Sequence, residues 1–89
     1  MEITELGFFD VGKKLVWVIK EHREVVSWLE KNEPTSISLI NYHQKRHAET
    51  VREWHQWWVP RYYRLLNETQ RLEIDYLAMG AFPCASSAI

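Results

Sequence analysis

His43 and His47 stand one helical turn apart, and His55 lies two turns further on. Imidazoles at that spacing can share a metal ion. Gln44, Lys45 and Arg46 fill the gap between the first two, so the His-Glu-x-x-His zinc motif is absent. The Glu-x-x-His pattern of di-iron bundles is absent as well, and no cysteine lies nearby. His43 and His47 are therefore only weak metal candidates, and no cofactor is expected. They read instead as seam residues packed among tryptophans and hydrogen-bonded to a neighbouring helix. His22 reads the same way. Imidazoles buried in an apolar seam resist protonation, so stability or association is expected to weaken below about pH 6.

Other chemistry has fewer starting points. There is no G-x-S-x-G elbow, no phosphate loop and no obvious carboxylate pair. The three glycines share no loop, so a nucleotide site is not expected. Cys84 is the single cysteine, which excludes an internal disulfide framework, and a thiol in a C-terminal tail is a poor nucleophile. The chain is not expected to be an enzyme.

The densest stretch is Trp54-His55-Gln56-Trp57-Trp58-Val59-Pro60-Arg61-Tyr62-Tyr63-Arg64. Aromatic and arginine side chains dominate binding energetics at protein interfaces. Trp57, Arg61, Tyr63 and Arg64 are the expected partner contacts. Trp17 and Trp28 come next: eleven residues apart, they project from one flank of a helix. Trp54, Trp58, Tyr62, Leu65, Leu72 and Tyr76 are expected to hold the fold or a dimer. The expected function is a small non-enzymatic interaction module: an adaptor, assembly factor or inhibitor of a larger protein. The alternative is a nucleic-acid-binding regulator using the Arg, Trp and Tyr side chains around Pro60, since aromatic-plus-arginine surfaces suit single strands.

Charge weakens that alternative. The net charge is −1. Residues 34–64 carry five basic and two acidic side chains, and the segments on either side are each net acidic. A mildly basic centre between acidic ends suits an acidic partner or antiparallel self-association, and Glu49 and Glu53 dilute the basic patch. With 89 residues, the chain makes one domain, over residues 1–80, with a tail at 81–89. Five tryptophans, four tyrosines and three phenylalanines exceed what so small a core easily hides. A homodimer would cover the surplus. No transmembrane-length apolar run or signal peptide is present in the sequence, so a soluble, intracellular (cytoplasmic) protein without a membrane partner is expected.

The elements that position these residues read as all-α. Val11, Leu15, Val18, His22, Val25 and Leu29 make a heptad seam, predicting a helix over 11–31 with Asp10 as its N-cap. Asn32-Glu33-Pro34-Thr35-Ser36 breaks the chain, and Thr35 or Ser36 can cap the next helix. Ile40, His43, His47, Val51, Trp54 and Trp58 then share one helical arc. Tyr62, Leu65, Thr69, Leu72, Tyr76 and Met79 continue it in phase when counted straight through Pro60. The expected architecture is an antiparallel helical hairpin. Its long second arm is kinked or broken at Pro60, and kinking is favoured because no capping residue precedes the proline. A short apolar N-terminal arm over residues 1–9 and an irregular C-terminal tail complete it.

Overall fold

The structure, a computed structural model, describes residues 7–82. Among them the chain is almost wholly helical and forms no strand. Helix α1 spans Phe8–Asn32. It starts earlier than its seam predicts: Gly7 precedes it without a side-chain cap, and Asp10 sits in the first turn, where a carboxylate favours the helix dipole. Phe8 and Phe9, expected in an arm, belong to this helix and pack half-buried against the core. The rest of the expected arm, residues 1–6, lies outside the described residues.

The helix ends where expected. The Glu33 amide donates to Leu29 O at 2.7 Å, Pro34 prevents continuation, and the Ser36 amide closes a turn onto Glu33 O at 3.0 Å. Helix α2 then runs from Ile37 to Glu53. Two long-range pairs set the course of this second arm against α1: Trp58, in the turn that follows α2, meets Phe8, and His22 meets His43. The pairs fall in opposite chain order, so this arm returns along α1.

Pro60 does not break the arm. Instead the coil widens just before it. Trp54–Trp58 form a π-helical turn in which the Val59 amide reaches back five residues to Trp54 O. A short α3, Val59–Tyr62, and a 3₁₀ turn, Tyr63–Leu65, continue the path. A proline clashes with the carbonyl four residues back and offers no N–H. A turn widened to i→i+5 relieves that clash while keeping the backbone helical. The Arg61 guanidinium donates to Trp57 O at 3.1 Å and to Gln56 O at 3.4 Å. Gln56 O is the carbonyl an ordinary residue at position 60 would have paired in α geometry.

The true interruption comes at Leu66 and Asn67, both extended with ψ of 143° and 174°. Asn67 then opens α4, Glu68–Ala81, through a reciprocal capping box. Its Oδ1 accepts from the Gln70 amide at 2.8 Å, and its own amide donates to Gln70 Oε1 at 3.1 Å. The phase predicted past Pro60 is thus reset. Helix α4 folds back on α1, held by Lys13 to Glu73 at 3.5 Å and by the Arg23 guanidinium donating to Gly80 O at 3.0 Å. It buries Ile74, Ala78 and Ala81, and the two small alanines let it approach closely. Ala81, expected as the start of the tail, closes the core, and Phe82 packs half-buried beside it.

The core is Val16 and Ile19 of α1, Trp54 and Trp58, Leu66, and the buried face of α4. Trp54 and Trp58 stack face to face, 4.7 Å between ring centroids and 7° apart in tilt, and neither is exposed to solvent. Trp58 Nε1 donates to Phe8 O at 2.8 Å. Its ring packs against α1 at Gly12: a Cβ there would sit 2.6 Å from Cε2 and 2.8 Å from Cη2. Gly12 is therefore the socket for the tryptophan, not a weak point in the helix.

Candidate interaction surface

The folded chain redistributes the side chains expected at a partner surface. Trp57 is half-buried, its ring edge-on to Tyr62 at 5.6 Å. Arg61 is exposed but committed to backbone carbonyls. Tyr63 is half-buried, donates from its hydroxyl to Asp75 at 2.8 Å, and lies under the Arg71 guanidinium. Its phenol is pushed above the usual tyrosine range, by burial first and then by its hydrogen bond to Asp75 and that residue's charge, against a smaller opposing pull from Arg71. Arg64 is exposed.

The basic surface around Pro60 is interleaved with acidic side chains. Arg52, Gln56, Trp57 and Arg61 share a shallow depression with Glu49 and Glu53. Two carboxylates there would repel a phosphate backbone.

The set expected to hold the fold or a dimer divides in two. Trp54 and Trp58 are core, and Tyr62 is half-buried with its ring stacked 5.7 Å from Phe8. Leu65, Leu72 and Tyr76 are not core; they lie at the surface. Leu65 ends the 3₁₀ turn, and Leu72 and Tyr76 lie on α4, which has two faces with steps of three and four. The larger residues make the outer one, while Ile74, Ala78 and Ala81 make the inner one.

That outer face creates a surface the sequence did not announce. Trp17 on α1 is 64% exposed, Tyr76 75% and Met79 70% on α4. Together with Val16, Lys20, Leu77 and Gly80 they line a groove of about 330 Å³ between the two helices. Leu72, one turn before Tyr76 on the same helical face, is also exposed. Trp28 is exposed as well, three turns along α1 from Trp17. A second groove of about 510 Å³ separates α1 from α2, floored by Val11, Leu15 and Val18 and edged by Lys14, Arg46 and Glu53.

No family model, curated protein or solved structure matches this chain. The surface must therefore be read from its own chemistry.

The histidines are also rearranged. His43 pairs with His22 across the helices, not with His47: the two Nδ1 atoms are 2.9 Å apart and the ring centroids 5.1 Å. Tyr42 stands edge-on to His43 at 5.1 Å. Burial holds the His22 imidazole below its ordinary pKa, helped by His43, Arg46 and His47 and opposed by Glu21. His47 is likewise held below its ordinary value, by burial and then by Arg23, and its Nε2 is buried without a hydrogen-bond partner. His55 is exposed beside Phe82. Among the described residues no three His, Cys, Asp or Glu side chains group as a metal cage. Cys84 lies outside the described residues. No helix among them is long and apolar enough to cross a membrane.

Proposed function

We propose that the protein is a non-enzymatic interaction module that docks on another protein through the apolar groove between α1 and α4. The observation that carries this reading is the clustering of Trp17, Tyr76 and Met79 around one groove on a chain whose own core is already closed. Large apolar side chains left together in water mark interaction surfaces in small soluble domains. Trp and Tyr are the residue types that anchor interfaces when they enter a partner's pockets. Leu72 extends the strip along α4, and Lys20 gives it a basic edge suited to an acidic rim on the partner. Adaptor, assembly factor and inhibitor are all roles such a surface serves. A symmetric dimer formed through the same groove is the self-associating version of this reading.

The test is photo-crosslinking from position 17. A photoreactive phenylalanine analogue replacing Trp17 should trap a discrete protein partner, or a second copy of the chain, and Tyr76→Ser and Met79→Ser should abolish the product. The same label at Arg64 should trap far less. Equal yields from both positions, or yields indifferent to Tyr76 and Met79, would overturn the assignment. A crosslink to nucleic acid instead of protein would overturn it too.

A further inference from the structure

We propose that His22 and His43 form an acid-sensitive latch: a second proton on the pair releases the outer half of the α1–α2 hairpin while the core stays folded. The two Nδ1 atoms lie 2.9 Å apart across the helices, with ring centroids at 5.1 Å. At that distance one ring donates an N–H and the other accepts with a bare nitrogen. One added proton leaves the bond in place, because an imidazolium still donates to a neutral ring. A second proton can go only to the accepting nitrogen. Both nitrogens then carry hydrogen, no acceptor remains, and two positive rings face each other.

The surroundings resist that charge. Arg46 and His47 on α2 add positive charge to His22, Arg23 on α1 adds it to His47, and Glu21 on α1 opposes them at His22. Tyr42 meets His43 edge-on at 5.1 Å. Burial first, then these cations, hold His22 and His47 below their ordinary values. Little else holds this half of the seam. Past Ile19 the buried side chain of α1 is Leu29, and before Thr50 that of α2 is Ile40. Both stand apart from the core cluster. Helix α4 ties to α1 at Lys13 and Arg23, short of Leu29. A depression of about 130 Å³, lined by Arg23, Val26, Gln44 and His47, interrupts the packing one turn along the seam from the pair. A segment with so few buried contacts opens on its own, before the whole molecule does, and helices freed from tertiary contact melt. The opened segment takes up protons that the closed one refuses, so falling pH drives the opening. It uncovers Val25, Val26, Leu29 and Ile40.

Amide hydrogen exchange on the full chain, corrected for the intrinsic rate, tests the latch. Protection over residues 24–42 should fall roughly twentyfold between pH 7 and pH 5 for each imidazole that only the opened chain protonates, taking an ordinary value near 6.5. Ile74 and Ala78 of α4 should stay better protected than that segment at both pH values. With His22, His43 and His47 all changed to Gln, the fall should shrink below about threefold. Long-range nitrogen–proton spectra of the wild-type rings need no variant to fold. They should show one protonated and one bare Nδ1 near neutral pH, and both protonated only below the ordinary histidine range. Protection that is flat with pH, or that falls as much in the triple variant, would overturn the latch. So would equal protection of the outer hairpin and α4, or two rings that both charge near pH 6.5 without loss of protection.

Discussion

Gly12→Ala is the sharpest probe of the core. At an ordinary position inside a helix the change stabilises by about 0.5–1 kcal/mol, because alanine loses less backbone freedom on folding. Here the new methyl meets the Trp58 ring, with ring carbons at 2.6 and 2.8 Å, well inside ordinary contact. Trp58 has little room to yield. It is fully buried, stacked on Trp54 and tied through Nε1 to Phe8 O. Overpacking of this kind costs about 1–3 kcal/mol, and displacing the indole also strains a hydrogen bond worth about 1 kcal/mol. Setting these against the helical gain leaves a net loss of about 2 kcal/mol, or a fall in melting temperature of roughly 8–16 °C for a domain of this size. Thermal and urea unfolding tracked by circular dichroism measure it. Gly80→Ala is the matched control: a Cβ at Gly80 meets nothing within 4 Å, so that variant should gain about 0.5 kcal/mol. If both variants are stabilised alike, the tryptophan does not pack against α1 at this point, and Gly12 is not its socket.

Asn67→Ala removes the capping box that starts α4 and should cost about 1 kcal/mol, read as a lower urea midpoint. Arg61→Met keeps the side-chain length but removes the donor to Trp57 O and Gln56 O; a loss of about 0.5–1.5 kcal/mol is expected, and no loss would refute its bracing of the proline turn. His47 has a folded pKa below its unfolded value, so as pH falls through the ordinary histidine range near 6.5 the unfolded chain takes up the proton first. Stability is then fullest above that range, declines beneath it, and levels off once the folded imidazole is protonated too. Urea midpoints in metal-free buffer from about pH 7.5 to about pH 5.5 should show the decline in wild type and a shallower one in His47→Gln. Trp17→Ser and Tyr76→Ser should each change stability by less than about 0.5 kcal/mol, since neither side chain belongs to the core, and a larger loss would show that the groove is part of the fold.

The helical class, the break at Asn32–Ser36 and the burial of Trp54 and Trp58 were legible in the sequence because apolar period and turn residues agree there. The end of the second arm was not. Pro60, the stronger local signal, drew the expected kink, while Asn67 with Gln70 held the real helix start in an inconspicuous polar run. Counting through the proline kept a phase that the extended residues Leu66 and Asn67 discard. Small residues compounded the error: Ala78 and Ala81 carry little apolar weight, yet they are what close approach to α1 requires. For the surface, Trp17 was legible as a side chain in need of cover. Its neighbours Tyr76 and Met79 were not, because their meeting depends on α4 folding back. The His22–His43 pair is a tertiary contact that no spacing within one helix encodes.

The wide turn at Trp54–Trp58 acts as a rotational key. One residue fewer within it would rewind the coil to ordinary pitch and swing the remainder of the chain by about 100°. Trp58 would leave its glycine notch, Tyr62 would lose Phe8, and the hand-off to Asn67 would point α4 away from α1. Chain length between the two stacked indoles thus governs the topology more strictly than the identity of the surface residues beside them.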